Sequence, residues 1–416
     1  MLRRWRTRIL LFLAVLGPGF ITANVDNDSG GILTYSQSGA QFGYSLLWTM
    51  LPITIALIVI QEMCARMGVV TGKGLSDLIR EEFGLRLTVV LMLVLVVVNY
   101  TNVVTEFIGI AGSLHLFHVT KFISVPVCGL LVWLMVVKGS YKSTEKIFLL
   151  ASSVYIAYIF AGVLSQPSWH DALLATVKLP ARSVWQDKAY IYTAIGVVGT
   201  TIAPWMQFYL QSSIVEKGIP VKDYSASRLD VIVGSFFTDL VAWFIIVACA
   251  ATLFVHGMGA IQFAADAAEA MRPLAGDYAF ILFAFGLFNA SLFAASILPL
   301  STSYTVCEGL GLESGVDKSF REAPVFYWLY TALIVGGAAT VLFLPDGQLI
   351  NFAILSQVLN GVLLPVVIIL MLMLINRSDL MGRYRNSRLW NFIAWSTSII
   401  VIGMTLLMLW GMIPGH

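Results

Sequence analysis

Charged residues are scarce in this sequence: Asp, Glu, Lys and Arg make up 12% of its 416 residues, whereas 58% are hydrophobic. Soluble globular domains carry about 25% charged residues. The composition therefore excludes a soluble protein and indicates that lipid surrounds the chain. Apolar segments and short loops account for almost all of it, so we predict a single transmembrane domain over residues 1–416.

Motifs for enzymatic chemistry are absent as well. Neither HExxH nor GxSxG occurs, so no metalloprotease or serine hydrolase centre is indicated. The four cysteines, Cys64, Cys128, Cys249 and Cys307, lack CxxC spacing, and we interpret them as buried free thiols rather than zinc ligands or disulfides. We expect no enzyme activity, no cofactor and no nucleic-acid partner, and no obligate protein partner is evident.

Long apolar runs are what the sequence does contain. A membrane-spanning helix needs about 20 apolar residues, and these runs lack the alternation of a β-barrel. We predict an all-α polytopic membrane protein with eleven transmembrane helices. The predicted segments 1 to 11 are 9–36, 44–66, 87–113, 121–138, 146–165, 189–214, 229–256, 277–305, 325–344, 349–375 and 390–412.

The basic residues predict the orientation of these segments. If the loops alternate sides with Met1 inside, 20 of the 25 Lys and Arg residues lie on the inner side. Cytoplasmic loops are enriched in Lys and Arg, so we predict a cytoplasmic N-terminus and an extracytoplasmic C-terminus. A basic start before an apolar run also occurs in signal peptides, but no small-x-small cleavage site follows here, and we interpret the run as segment 1.

Two segments are interrupted by residues that disfavour helices. Segment 1 contains Gly17-Pro18-Gly19 and then the polar run 24–31, and segment 6 contains Gly196, Gly199 and Pro204. Interrupted helices at matching positions of two halves indicate a binding site near the middle of a transporter. We therefore predict a five-plus-five inverted repeat, with repeat one about 9–165, repeat two about 189–375 and an extra helix about 390–412.

Two carboxylates, Asp26 and Asp28, lie in the interruption of segment 1 beside Asn24, Asn27 and Ser29. Charged groups at membrane depth are costly and mark ion pathways. Gly and Pro kinks alone also occur in membrane helices, and this simpler interpretation stays open for segment 6. For segment 1 the paired carboxylates favour a bound cation.

The chain resembles the Nramp family of divalent metal transporters along nearly its whole length. The resemblance rests on the order and spacing of stretches that are not decisive singly: 17–20, 37–44, 70–73, 106–109, 165–167, 196–213, 356–359 and 378–382. It implies a LeuT-like fold in which the metal binds between broken helices 1 and 6. It also assigns Asp28 as the principal metal ligand, Thr200 as a carbonyl donor and Gln357 as an approaching amide.

Several family ligands are replaced in this sequence. The family motif Asp-Pro-Gly-Asn falls on Asp28-Ser29-Gly30-Gly31, so Gly31 stands where an Asn ligand is typical. The family motif Met-Pro-His falls on Ala203-Pro204-Trp205, and Gln211 stands where typical members carry a second His. The candidate metal-site residues are Asp28, Gly31, Thr200, Ala203 and Gln357 from the resemblance and Asp26 from the paired carboxylates. Further pathway candidates are Glu106, Trp205 and Gln211 from the resemblance and Asp239 from its position within segment 7.

These replacements favour a hard ion. Thioether ligands suit softer transition metals, whereas oxygen ligands suit Mg²⁺. Mg²⁺ also tends to keep several waters, and replacing Met and Asn by Ala203 and Gly31 is expected to leave room for them. The sequence is therefore most similar to the divergent prokaryotic Nramp-related magnesium transporters, and we expect uptake of Mg²⁺, also Mn²⁺, across a prokaryotic plasma membrane.

Groups that could relay protons are few. Typical family members pair the Glu at position 106 with an Asp one turn earlier, where this sequence has Val103. No Lys or Arg occurs between Arg321 and Arg377. We expect a uniporter driven by the membrane potential. A proton-coupled Mn²⁺/Fe²⁺ symporter, and a LeuT-like transporter of organic solutes, remain alternatives.

Two further carboxylates have competing interpretations. Asp239 in segment 7 either lines the pathway or forms an interhelical hydrogen bond. Glu62 lies one turn before Arg66, where a structural ion pair is expected.

Overall fold

The computed structural model describes residues 17–259 and 261–411, and within these ranges the regular structure is entirely helical. The predicted all-α class is confirmed. Residues 9–16 of segment 1, residue 412 of segment 11 and the arginines that precede residue 9 lie outside the described residues.

Segment 1 is two helices, α1 (Pro18–Asn24) and α2 (Ser29–Phe42), joined by non-helical residues 25–28. Pro18 occupies the first turn of α1, where its missing N–H costs nothing. Asp28 is the N-cap of α2 and accepts a hydrogen bond from the Gly31 N–H. The interruption predicted from the polar run is therefore present.

A 3-10 turn over Gly43–Thr49 connects α2 to α3 (Met50–Thr71). Gly43 begins this turn with a φ of 58°, a conformation that costs glycine little. The following helices are α4 (Leu75–Phe83), α5 (Leu85–His115), α6 (Lys121–Val137), α7 (Tyr141–Val154), α8 (Ile156–Leu164) and α9 (Trp169–Val177).

Segment 6 is likewise two helices, α10 (Lys188–Thr201) and α11 (Pro204–Lys217), separated by Ile202 and Ala203. The remaining helices are α12 (Tyr224–Cys249), continued by a π-helical turn at Ala250–Phe254, α13 (Ala264–Leu310), α14 (Pro324–Phe343), α15 (Asp346–Ile375), α16 (Ser378–Met381) and α17 (Arg388–Gly411). Helix α13 is kinked at Gly276, whose φ is 87°.

Among the described residues, eight helical stretches are long and apolar enough to cross a bilayer. The stretch Ser29–Thr71 holds parts of both segments 1 and 2, α6 is a shorter apolar helix, and the halves of segment 6 have 14 residues each. The count of eleven crossings, and the bounds of the two repeats, stay predictions.

The interrupted helices lie at the centre of the molecule. Helix α2 packs against α5, α10, α12 and α13, while α1 packs against α12 and α11. Helix α15 packs against both α5 and α10. The gap between α1 and α2 is thereby surrounded by helices from both halves of the chain. The four cysteines are free and buried, as predicted.

Candidate functional site

The first turn of α2 holds two carboxylates. Oδ1 of Asp28 accepts a hydrogen bond from the Gly31 N–H at 2.7 Å, and Oε2 of Glu106 accepts one from the Ser29 N–H at 3.1 Å. Free N–H groups and the dipole at a helix N-terminus stabilise negative charge. The sequence thus places Asp28 by capping α2 and brings Glu106 to the same point from α5.

Helices α10 and α15 meet α2 at this turn. A Cβ added to Gly30 would collide with the Gln357 amide nitrogen, and one added to Gly31 would lie 3.5 Å from both the Thr200 hydroxyl and Oδ1 of Asp28. The structure therefore brings together Asp28, Gly31, Thr200 and Gln357, four of the six predicted metal-site residues, with Glu106 beside them.

The space expected at Gly31 is occupied by backbone. A Cβ at this position would lie 2.5 Å from the Asp26 carbonyl oxygen, closer than real Cβ contacts allow. Glycine is needed because the non-helical residues before α2 fold back against its first turn. Gly31, where the family typically has Asn, lets the Asp26 carbonyl approach the first turn of α2. The water-filled space that we expected at Gly31 is therefore not present there.

Ala203 lies in the interruption of segment 6, directly before Pro204 at the start of α11. Its carbonyl accepts hydrogen bonds from the Met206 N–H at 3.2 Å and from Nε2 of Gln207 at 3.1 Å. The hydrogen-bonding capacity of the Ala203 carbonyl is therefore filled by residues of α11 itself. Ala203 contributes a buried methyl group and no side-chain ligand.

Trp205 and Gln211 lie farther along α11. Trp205 is fully buried, and its carbonyl accepts from the Ser301 hydroxyl at 3.1 Å. Nε2 of Gln211 donates to the Lys73 carbonyl at 2.8 Å, which ties α11 to the loop after α3. These hydrogen bonds hold neighbouring elements together, and neither connects its residue to the first turn of α2.

Asp26 and Asp239 have partners other than those of Asp28. The Tyr35 hydroxyl is 3.4 Å from Oδ2 of Asp26 and 2.8 Å from the Thr201 hydroxyl at the end of α10. Asn27 donates to the carbonyl and hydroxyl of Thr238 at 3.0 and 2.7 Å. The break in segment 1 therefore has an Asp28 side, facing α5 and α15, and an Asp26 side, facing α12.

A cavity of about 300 Å³ reaches the Asp28 side from the end of the molecule that we predict to face outside. Gly30 and Gln357 lie at its inner end, Gly199 belongs to its α10 wall, and Thr405 of α17 contributes to another wall. Thr405 donates to the Gly361 carbonyl at 2.8 Å, which fixes α17 to α15. The additional helix is therefore part of the cavity wall.

The opposite end is closed around α1. Asp230 of α12 accepts hydrogen bonds from the backbone N–H groups of Gly17, Gly19 and Phe20 at 3.1, 2.7 and 3.1 Å. Lys217 and Glu145 form an ion pair of 2.7 Å nearby, against Gly17. The pocket beside Pro18 encloses only about 10 Å³, at most the space of one water molecule.

The residues at the Asp28 side supply oxygen and amide groups only. Among the described residues, no three His, Cys, Asp or Glu side chains are grouped closely enough to hold a metal ion. Oxygen and amide groups are the ligand types that a hard cation accepts while it keeps part of its water shell.

An all-helical core with two interrupted helices meeting at its centre is the fold of a LeuT-like membrane transporter. A solved structure of the Eremococcus coleocola manganese transporter, in complex with an aromatic bis-isothiourea substituted compound, matches with a TM-score of 0.79 at 22% identity, covering 97% of this chain and 86% of that one. MhsT in complex with L-phenylalanine matches with a TM-score of 0.63 at 14% identity, over 94% of this chain and 97% of that one.

The chain belongs to the Nramp family: the model described as natural resistance-associated macrophage protein-like matches residues 19–411. Among curated relatives, the divalent metal cation transporter MntH of Nostoc sp. is 27% identical, covering 96% of this chain and 92% of its own length. MntH of Ralstonia nicotianae is 28% identical, with 97% and 92% covered. These relatives are transporters and not enzymes, and the family predicted from the sequence is confirmed.

The structure also shows functional contacts that the sequence analysis missed. The sequence pattern does not indicate Asp230; the only signal is that the backbone N–H groups of Gly17 and Gly19 at the start of α1 need an acceptor. It does not indicate Asn360 either, whose amide and that of Asn102 form reciprocal hydrogen bonds of 3.2 and 3.0 Å. The predicted ion pair between Glu62 and Arg66 is present at 3.0 Å.

Proposed function

We propose that this protein transports divalent metal ions, Mg²⁺ and also Mn²⁺, across the plasma membrane of a prokaryotic cell, with its N-terminus cytoplasmic and its C-terminus outside. The observation that supports this most directly is the position of Asp28. Its carboxylate lies at the first turn of α2, beside the Thr200 hydroxyl and the Gln357 amide, and both Gly30 of this turn and Gln357 line a cavity of about 300 Å³. Relatives named divalent metal cation transporters support the class of cargo.

A preference for Mg²⁺ follows from the ligands that are missing. None of the residues that meet at the Asp28 side carries sulfur or imidazole, and Ala203 offers only a methyl group. Soft ligands would favour Mn²⁺ and Fe²⁺, whereas oxygen ligands and retained water suit Mg²⁺. The relative described as a manganese transporter keeps Mn²⁺ among the cargo, and discrimination rests on the ligand set.

Transport without protons is the mode that we propose. One turn before Glu106, Val103 packs against Gly337 of α14, and the neighbouring Asn102 is paired with Asn360. A valine and an amide pair cannot pass on a proton at physiological pH. Two charges crossing 100 mV gain about 4.6 kcal/mol, enough for more than a thousandfold accumulation.

A proton-coupled symporter is the second candidate, and one observation favours it. Oε1 of Glu106 is buried without a hydrogen-bond partner in the described part of the chain, so this carboxylate could carry a proton. An organic-solute transporter is less well supported, because the likeness to MhsT at 14% identity concerns the fold alone and the carboxylates Asp26 and Asp28 would repel an amino acid carboxylate.

Uptake of Mg²⁺, Mn²⁺ and amino acids into proteoliposomes at a fixed negative potential tests the proposal. We expect Mg²⁺ and Mn²⁺ to enter, and Asp28→Ala to reduce uptake at least a hundredfold while the protein stays monodisperse in detergent. Asp171→Ala, which removes an exposed carboxylate of α9, is the matched control and should transport normally. Undiminished Mg²⁺ uptake by Asp28→Ala would contradict the proposed site.

A further inference from the structure

The Asp26 side of the break is built around α12. Asn27 fixes the non-helical residues to Thr238 through two hydrogen bonds. Asp26 precedes Asn27 and Asp239 follows Thr238, so this anchor brings the two carboxylates to the same interface. They are close enough to repel each other, and both are at least 96% buried, with exposed fractions of 3% and 4%.

Several buried oxygen atoms at this interface have no hydrogen-bond donor. Oδ1 of Asp26, Oδ1 of Asn27 and both carboxylate oxygens of Asp239 are buried and have no hydrogen-bond partner among the described residues. The Thr54 hydroxyl is within hydrogen-bonding reach of Asp239 and also lies 2.7 Å from the Met50 carbonyl, so its single proton satisfies at most one of these four oxygens. Buried acceptors of this kind are costly unless something compensates them.

No basic side chain of the same elements can provide the compensation. Segment 1 and α2 lie within the sequence interval between Arg8 and Arg66, and α12 beyond Arg228 contains no Lys or Arg before Arg272. Thr238 makes the hydrogen bonds that join α12 to segment 1. A hydrogen bond from Thr54 would still leave one Asp239 oxygen without a donor, so a structural contact accounts for this carboxylate only in part.

We propose that Asp26 and Asp239 form a second cation site, separate from Asp28, for a hard divalent cation such as Mg²⁺. Two carboxylates match the charge of a divalent ion, and the amide oxygen of Asn27 adds a neutral oxygen ligand of the type that Mg²⁺ accepts. The Tyr35 hydroxyl joins Asp26 to Thr201, so the site also contacts the end of α10. This inference rests on the proposed function, since it assumes a divalent cargo.

Two neighbouring sites at one break have a consequence for ion release. Ions at Asp28 and Asp26 would lie close together and repel each other, and repulsion between neighbouring sites helps a bound ion to leave. The second site would thereby lower the affinity of the first when both are occupied.

Calorimetric titration of the purified full-length protein with MgCl₂ in detergent tests the inference. We expect two Mg²⁺ per chain for the wild type. Asp239→Asn should bind one Mg²⁺ with the Asp28 site intact, and the affinity of the second site should fall at least tenfold. Asp28→Ala should keep one Mg²⁺ at the Asp26 side. Thr252→Val, a buried substitution in the π-helical turn after α12, is the control for packing damage and should bind two.

If Asp239→Asn does not fold, Asp26→Asn is expected to show the same loss of one ion. A single Mg²⁺ in the wild type that disappears in Asp28→Ala and persists in Asp239→Asn would overturn the second site and leave the proposed function standing. A wild type that binds no Mg²⁺, together with normal uptake by Asp28→Ala, would overturn the proposed function itself and the second site with it.

Discussion

The two interrupted segments differ in how their free helix ends are satisfied. In segment 1 the non-helical residues are four, and the following helix begins with two carboxylates, Asp28 and Glu106, on its N–H groups. In segment 6 the gap is two residues, and the next helix begins with Pro204 and satisfies the Ala203 carbonyl internally. The break in segment 1 therefore holds the charge of the candidate site, with Asp28 from the segment itself and Glu106 from α5, whereas segment 6 supplies neutral groups.

After Asp28→Ala, removing the Glu106 carboxylate, which shares the cap of α2 with Asp28, should have the largest effect. Glu106→Ala removes the acceptor of the Ser29 N–H, and we expect Mg²⁺ uptake to fall more than tenfold, with about 1–3 kcal/mol lost from stability because a buried donor loses its partner. Uptake and thermal unfolding measure these effects. Glu106→Gln keeps an oxygen at this position and should lose less; equal, small losses in both variants would show that the cap does not organise the site.

At segment 6 a single substitution should alter selectivity and leave the charge intact. Ala203→Met adds a soft ligand, and we expect the ratio of Mn²⁺ to Mg²⁺ uptake to rise about tenfold. Competition between the two ions in proteoliposomes measures this ratio. Ala203→Leu, which adds similar volume without sulfur, is the control, and a rise of the same size in that variant would attribute the change to shape.

The two breaks also differ in how much room they leave for a new side chain. At Gly31, in segment 1, a side chain must displace the Asp26 carbonyl. Gly31→Asn is therefore expected to reduce uptake of both ions, and Ala203→Met combined with it should transport less than Ala203→Met alone. The same competition assay applies. A gain in Mn²⁺ preference from Gly31→Asn without loss of uptake would show that the backbone can retreat and that the side chain reaches the ion.

Features that depend on the local sequence were predictable, whereas features that depend on contacts between distant residues were not. Both breaks were predictable because Gly, Pro and Asp interrupt apolar runs in the chain itself, and Asp28 follows from position and charge. The Asp230 cap, the pairing of Asn102 with Asn360 and the fold-back at Gly31 depend on contacts between residues far apart in sequence. The hydrophobic pattern does not encode these contacts. It also does not encode the 3-10 turn at Gly43–Thr49, because of which α3 begins only at Met50.

The amide pair that supports the Asp28 side should have a smaller effect. Asn102→Ala leaves the Asn360 amide buried without its partner, which costs about 1–3 kcal/mol. Replacing both residues by leucine should cost less than the sum of the single replacements. Denaturation of the two single variants and the double variant in detergent gives the coupling energy, and additive losses would mean that the pair is not energetically coupled.

We expect no proton movement during Mg²⁺ transport, which is the smallest effect among these predictions. A pH-sensitive dye inside liposomes, with a potassium gradient and ionophore setting the voltage, should report no acidification that scales with Mg²⁺ entry, because we propose that Val103 and the Asn102–Asn360 pair do not relay a proton from Glu106. An empty-liposome control sets the leak. Acidification that tracks Mg²⁺ entry and disappears in Glu106→Gln would establish symport.

Helix α1 has seven residues and, at 1.5 Å per residue, is a rigid rod about 10 Å long. Asp230 clasps one end through three backbone N–H groups, and the other end is a four-residue joint that carries Asp26 and Asp28. Asn27 in this joint donates to Thr238 of α12, the helix that also carries Asp230. Both ends of the rod are therefore fastened to α12, and a displacement of the joint would carry α12 with α1 as one body.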